Sequence, residues 1–209
     1  MERFTKLRAV AVPLLRDNID TDIIIRIERL VSGPPRSDLG RYCFESWRYL
    51  PDGTENPDFP LNRASYRNAK ILLAANNFAC GSSREGAVWA LMGMGIRCVI
   101  APSFGDIFFN NCFQNGLLPV VMARKRVEEI AREIEIDPEH HQITVDLTRN
   151  VVIAPDELEV EFRIPALRRE AMLEGLDEVG LTLKRDPEIT AFQSADRARR
   201  PWIYSEGLQ

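Results

Sequence analysis

The spacing of hydrophobic and polar positions changes several times along the chain, and each change marks a new element. Residues 7–15, Leu-Arg-Ala-Val-Ala-Val-Pro-Leu-Leu, predict a first strand with a proline near its end, followed by the polar turn Arg16-Asp17-Asn18. From about 32 to 66 the sequence is rich in Pro, Gly, Asp, Asn and aromatics and keeps no period. It predicts an excursion of loops with at most one short helix around Phe44–Tyr49. A loop of that length in a compact domain is usually functional or mobile.

Order returns at Ala69-Lys70-Ile71-Leu72-Leu73-Ala74-Ala75, a short apolar run typical of a strand buried on both faces. A polar, glycine-bearing loop follows, then a predicted helix from Arg84 to about Met94. Arg97–Ala101 reads as the next buried strand, Phe104–Phe113 as the next helix, and Leu117–Val121 as a third strand. Alternation of this kind argues for parallel strands joined by right-handed crossovers. Arg126–Glu135 is amphipathic, with Val127, Ile130, Ala131 and Ile134 on one face and Glu128 and Arg132 placed to pair on the other. After His140 the period drops to two: Ile143, Val145 and Leu147 alternate with polar residues, as do Leu158, Val160 and Phe162. A short helix then opens near Pro165 and ends near Gly175. The expected class is α/β, a single unit over 1–209 with its core at about 5–165 and a C-terminal helix and tail from about 165.

Composition narrows the function classes. Hydrophobic residues make up 45% of the 209 and charged residues 28%, the balance of a soluble globular chain. A net charge of -4 gives no general attraction to nucleic acid or to an anionic membrane. No apolar run approaches a membrane span, and the charged N-terminus lacks the apolar stretch of a signal peptide, so a cytoplasmic location is the expectation. Arg197, Arg199 and Arg200 read as a solvated tail beside Pro201. Cys43, Cys80, Cys98 and Cys112 contain no close pair. They suit neither a disulfide framework nor a metal or cluster site, and Cys98 and Cys112 are expected to be buried and structural. The adjacent His140 and His141 read as a surface turn.

The most informative stretch is Asn77-Phe78-Ala79-Cys80-Gly81-Ser82-Ser83-Arg84-Glu85. It leaves a predicted parallel strand at its C-terminal end and opens a helix, where open α/β sheets place ligands. Unpaired N–H groups at a helix start favour an anion, and Arg84 adds a planar fork suited to a carboxylate or phosphate. Ser82-x-x-Glu85 is also a capping box, which would stabilise the helix without any ligand, and the two readings are compatible. The spacing excludes a phosphate loop, a nucleophile elbow and a dinucleotide fingerprint. The second constellation, Asp17-Asn18-Ile19-Asp20-Thr21-Asp22, lacks the glycine and distal glutamate of a calcium loop. Asp17 and Asn18 are expected to bond their own backbone in a turn.

Both constellations, with Ile100-Ala101-Pro102-Ser103-Phe104, Asn115-Gly116-Leu117-Leu118-Pro119, Gly175-Leu176-Asp177 and Gly180-Leu181-Thr182-Leu183, resemble the small subunit of 3-isopropylmalate dehydratase. The same unit resembles the swivelling C-terminal domain of aconitase. The resemblance runs in order from residue 17 to 183. It implies a swivelling β/β/α domain with a mostly parallel core sheet and additional antiparallel strands. It also implies a partner large subunit, with which this chain forms a heterodimer or heterotetramer, holding the [4Fe-4S] cluster. No cofactor or metal is expected on this chain, and no nucleic acid or membrane partner.

The implied reaction isomerises 2-isopropylmalate and 3-isopropylmalate by dehydration and rehydration in leucine biosynthesis. By the resemblance, Ser82 takes and returns the carbon-bound proton, Asp22 assists it, and Gly81, Ser83, Arg84, Asp20, Thr21 and Arg26 bind substrate. The chain departs from the family pattern at Gly86, where histidine is usual, at Ala79, where glycine is usual, and at Arg26, where proline is usual. Those departures leave open a related hydro-lyase acting on another hydroxy-dicarboxylate, such as a 2-methylmalate- or citrate-like acid. They also leave open a docking paralogue without activity. An independent anion-binding protein or serine hydrolase is the third class.

Overall fold

The computed structural model describes residues 1–31 and 33–204. The first residue of the expected 32–66 excursion and the end of the expected tail therefore lie outside the described residues. Two four-stranded sheets share one stretch of chain: Lys6–Ala9 (β1) and Ala11–Leu14 (β2) are separated only by Val10, yet belong to different sheets. The single strand expected over 7–15 is thus two. The physical reason is a change in burial: Lys6-Leu7-Arg8-Ala9 has one buried face, whereas every residue of β2 is buried. Pro13 lacks an N–H, which an edge strand tolerates.

β2 edges a parallel sheet with Ile71–Ala74 (β3), Cys98–Ala101 (β4) and Leu118–Val121 (β5), in the order β2-β3-β4-β5. β1 edges an antiparallel sheet with Ile143–Asp146 (β6), Val151–Ile153 (β7) and Glu159–Glu161 (β8), in the order β1-β6-β7-β8. The sequence pattern did not single out β7. This is the α/β architecture expected, with a parallel core and added antiparallel strands.

The helices are Thr21–Ile24 (α1), Ile27–Val31 (α2), Glu45–Arg48 (α3), Glu85–Gly93 (α4), Asp106–Asn115 (α5), Arg124–Ile136 (α6), Ala166–Glu174 (α7), Glu178–Leu183 (α8) and Asp186–Arg199 (α9). The parallel strands follow one another in sequence order, so right-handed crossovers put α4 and α5 on one face. β2, β3 and β4 are buried at every position, and α6 lies across them to cover the other face. Val127, Ile130, Ala131 and Ile134 supply its buried stripe, as expected. Glu128, however, pairs with Arg124 at 2.7 Å, while Arg132 donates to the Glu128 carbonyl.

The long connection from β2 to β3 is more ordered than its composition suggests. Besides α1–α3 it contains 3₁₀ turns at Arg36–Tyr42, Pro60–Asn62 and Ala64–Tyr66. It also buries Leu39, Cys43, Phe44, Phe59, Leu61 and Tyr66. The first of these turns lies directly on α4, backbone to backbone: a Cβ on Gly40 would stand 2.1 Å from the Gly93 carbonyl carbon.

The C-terminal region also departs from expectation. α7 runs from Pro165 to a left-handed Gly175 (φ 73°), but α8 and α9 follow where a tail was expected. The basic cluster there is exposed, as expected, but it is ordered by a buried carboxylate: Arg200 grips Asp196 at 2.7 and 2.8 Å, Arg199 adds a longer contact, and the Tyr204 hydroxyl donates to it at 2.9 Å. None of the described helices is long and apolar enough to cross a membrane.

The contact between Gly40 and Gly93 generates a direct test. Gly40→Ala forces two backbones apart and is expected to lower unfolding free energy by about 2–3 kcal/mol. Denaturant unfolding of the variant measures this, and a change below about 0.5 kcal/mol, the ordinary surface range, would show that the turn does not need the close approach.

Candidate active site

The two constellations singled out in the sequence meet at the C-terminal ends of the parallel strands. The loop after β2 carries Asp17–Asp20, the loop after β3 carries Ala75–Arg84, and the loop after β4 carries Pro102–Gly105. Strand pairing continues past the strand ends as isolated parallel bridges, Asp20 with Cys80 and Phe78 with Phe104. The middle loop is therefore held on both sides.

Its backbone needs that support. Asn77, Ala79 and Gly81 all have positive φ, at 56°, 56° and 91°. Glycine adopts this region freely, but a residue with a Cβ does so at a cost of about 1–2 kcal/mol. The Ala79 departure thus falls where a left-handed backbone makes glycine the easier residue. Between Asn77 and Ala79, Phe78 is fully buried, edge-on to Phe108 (ring centroids 5.6 Å apart) and Phe104 (6.4 Å). Gly105 lets the loop after β4 close in, because a Cβ there would stand 2.4 Å from the Ala79 carbonyl oxygen.

The loop after β2 completes the frame. Asp20 caps α1 by accepting the Ile23 N–H at 2.8 Å. Thr21 is buried, its N–H donates to the Cys80 carbonyl at 2.9 Å, and its hydroxyl donates to the Ser82 carbonyl at 3.1 Å. The side chains of Asp20 and Thr21, two of the expected substrate ligands, therefore serve the backbone. Asp17 does not bond its own turn: it accepts the Asn76 N–H at 2.9 Å and is gripped by Arg124. Asn18 likewise accepts from the Asn77 amide side chain at 2.8 Å. The Arg124 guanidinium, with the Asn76 N–H, holds the Asp17 carboxyl below the usual carboxylate range.

The capping box is overturned. α4 begins at Glu85 with the extended Arg84 at the N-cap position, and no side chain caps it. Glu85 instead accepts from the Asn115 side-chain amide at 2.8 Å; the Asn115 oxygen in turn accepts from Arg36 (2.6 Å) and the Trp89 ring N–H (3.0 Å). This network, centred on the buried Asn115, joins α4, α5 and the 3₁₀ turn beginning at Arg36, and local spacing gave no sign of it. Ser82 and Ser83 are exposed, and neither hydroxyl has a hydrogen bond within the described residues.

Arg84 is largely buried, its guanidinium paired with the exposed carboxylate of Asp22. Arg26 lies at the surface 3.7 Å from Glu28. Gly86 is buried against Leu30, whose side chain occupies the space a Cβ would need. A cleft of about 420 Å³ opens beside Ser82, lined also by Gly81, Cys80, Phe104 and Asp106. A larger groove among α7, α8 and α9 contains none of the expected site residues.

Cys43, Cys98 and Cys112 are fully buried, and burial pushes each thiol up, away from ligation. Among the described residues no three His, Cys, Asp or Glu side chains are grouped to hold a metal ion. These residues do not fit an iron–sulfur cluster.

Known proteins resemble this chain over nearly its full length. Residues 1–125 match the aconitase C-terminal domain, and residues 178–204 match the C-terminal domain of the 3-isopropylmalate dehydratase small subunit. The 3-isopropylmalate dehydratase small subunit of Gluconacetobacter diazotrophicus is 50% identical over 202 residues, covering 97% of each chain. The protein of the same description from Cupriavidus necator is 49% identical, over 99% of this chain and all of its own. The crystal structure of 3-isopropylmalate dehydratase from Methanocaldococcus jannaschii superposes with a TM-score of 0.63 at 24% identity, covering 89% of this chain and 98% of that one, a likeness of fold.

The Asn115 network yields the prediction for this site. Asn115→Ala leaves the Trp89 N–H and the Glu85 carboxylate unpartnered, and is expected to cost about 2–3 kcal/mol of stability. Asn115→Asp, nearly the same shape, should do no better at neutral pH, because it sets a second carboxylate against Glu85. Denaturant unfolding distinguishes these outcomes from the near-neutral result expected if Glu85 merely capped its helix.

Proposed function

The chain belongs to the 3-isopropylmalate dehydratase small-subunit family, and from that premise we propose that it supplies the proton-transfer half of a shared active site. In this reading it isomerises 2-isopropylmalate and 3-isopropylmalate, as a hydro-lyase of leucine biosynthesis, only when joined to a large subunit. The observation that carries the reading is the uncapped start of α4 beside an uncommitted serine. A serine cap would have engaged the hydroxyl and one first-turn N–H; here the hydroxyl is unbonded and no side chain takes those N–H groups, which leaves them for an anion.

The chemistry follows from what each side chain can do. Removing water from a malate requires taking a proton from carbon, an acid for the departing hydroxyl and cations for the carboxylates. Ser82 takes the proton, and its developing negative charge is stabilised by the first-turn N–H groups of α4. Arg84, with Ser83, holds a substrate carboxylate through its planar fork. Asp22 orients that fork and serves as the hydrogen-bonding partner for proton movement. Asp20, Thr21 and Gly81 keep the loop in shape. The acid for the hydroxyl belongs to the large subunit, whose cluster would act there as a Lewis acid.

Substrate choice rests on the variable substituent. Arg29 is taken up by Glu45 at 2.6 Å and by the Tyr42 ring, and Arg26 lies exposed beside Glu28. Neither arginine is a stranded cation that an apolar isopropyl group would have to desolvate. This supports 3-isopropylmalate over a citrate-like or 2-methylmalate-like acid.

Reconstitution with the large subunit tests the reading. Ser82→Ala should lower turnover by roughly 10²–10⁴, as for loss of a positioned base. It should leave the melting temperature nearly unchanged, since Ser82 caps nothing. Arg84→Lys should also be costly, because lysine cannot reproduce the fork. The chain alone should be colourless and inactive. Near-normal turnover in Ser82→Ala, or a clear preference for citrate-like acids, would sink the assignment.

A further inference from the structure

The catalytic loop is anchored at its root by two side chains that take no part in the chemistry described above. At the end of β3, the N–H groups of Asn76 and Asn77 leave the sheet one after the other. Asn76 N–H donates to the Asp17 carboxylate at 2.9 Å, from the loop after β2. Asn77 N–H donates to the Ser103 hydroxyl at 2.8 Å, from the loop after β4. Ser103 also accepts the Phe78 N–H at its carbonyl, 3.0 Å away. These bonds hold the loop at and around Asn77, the first of its three left-handed residues.

Asp17 is itself held from a third direction. Nη1 of Arg124, the first residue of α6, lies 2.8 and 2.9 Å from its two oxygens, and Arg124 Nε reaches Glu128 at 2.7 Å. A carboxylate with this cation beside it is charged at neutral pH and accepts from both the cation and the Asn76 N–H. The element that closes one face of the sheet is thereby tied to the loop on which Ser82 stands.

We propose that Asp17 and Ser103 are positioning residues for the reaction, fixing the start of the Ser82 loop, with Arg124 fixing Asp17. Resting on the role assigned to Ser82, this explains why the turn after β2 spends its first acid across the sheet rather than on its own backbone. Ser82 follows six residues after Asn76, and each left-handed residue between them converts a small rotation at the root into a displacement at the hydroxyl. A misplacement of about 1 Å at a reacting group can cost about a hundredfold in rate. The ion pair is exposed, so its loss is expected to be felt in geometry far more than in stability.

Steady-state kinetics on the enzyme reconstituted with its large subunit separate this role from a merely structural one. Asp17→Ala should lower kcat about tenfold to a hundredfold, with KM within about threefold and melting temperature and co-purification with the large subunit almost unchanged. Asp17→Asn keeps an acceptor for the Asn76 N–H while losing the charge, and should recover most of the loss. Ser103→Ala should act in the same sense as Asp17→Ala. A kcat within about twofold of the parent for both alanine variants overturns the proposal. So does an Asp17→Asn defect equal to that of Asp17→Ala, or a loss explained entirely by reduced assembly. Ser82→Ala, measured alongside, keeps the two readings apart. If it collapses turnover while Asp17→Ala and Ser103→Ala do not, only the positioning role fails; if it too is near normal, the assignment of the serine fails first.

Discussion

The backbone of residues 77–81 imposes the constraint on which the rest of the site depends. Left-handed residues at 77, 79 and 81 make a path that no local hydrogen-bonding pattern maintains, and two of the three carry a Cβ. Such a path persists only where neighbours over-determine it. β3 lies between β2 and β4, so the loop leaving it has a loop on each side. Both neighbours are used: Ile19 accepts the Cys80 N–H, Thr21 binds the carbonyls of Cys80 and Ser82, and Ser103 and Gly105 close from the other flank. Phe78, buried against Phe104 of the loop after β4 and Phe108 of α5, keeps the strained segment from lifting out. The motifs at 17–22 and 100–104 are thus largely the means of holding the motif at 77–85.

That division of labour also explains which parts of the protein were legible in the sequence. The series from β3 to β5 was readable because strands buried on both faces are written as continuous apolar runs, and helices of ordinary length lie between them. The split between β1 and β2 was hidden within one apolar run, where only the short alternation Lys6-Leu7-Arg8-Ala9 betrayed a one-faced strand. The capping box failed because its signature is local while the decision was not. Gly81 in the left-handed region and Arg84 in an extended conformation delay the helix, and Glu85 is drawn to Asn115, thirty residues further along. Similarly, Asp17 reads as a turn former until Asn76 and Arg124 are brought beside it. The basic C-terminal cluster did carry a readable signal: Asp196 precedes Arg199 and Arg200 by three and four positions, the spacing of one helical face.

The residues expected at the site are gathered by the fold with the exception of Arg26, which lies at the surface, and their surroundings were not legible in the sequence. The fold brings Asp22 and Arg84 into contact and puts Ser82 in the same loop as Arg84, whereas the side chains of Asp20 and Thr21 are consumed by the frame. Nothing in the residue types distinguishes Asp20 from Asp22. The difference arises because Asp20 falls at the N-cap of a four-residue helix and Asp22 on its exposed first turn. The Gly86 departure has a local account: Leu30 fills the space a side chain there would need, so one small residue and one large one share a volume.

Burial within the site is uneven in a way that bears on how it works. Arg84 is 16% exposed and held by Asp22, so its fork is oriented before any ligand arrives. Ser82 and Ser83, by contrast, stand open to water. A serine hydroxyl in open water is a poor base, because its alkoxide gains little from a few N–H dipoles against a high dielectric. The same dipoles become effective once water is excluded. Exclusion must come from a second surface, since the loops of this chain already pack against one another and leave the serines uncovered. The exposure of the serines therefore makes the proposed proton transfer conditional on closure. Under the proposed function, a swivel against a large subunit would meet both requirements: open, it would admit a dicarboxylate to a preset arginine, and closed, it would give the serine the dry surroundings that taking a proton from carbon demands.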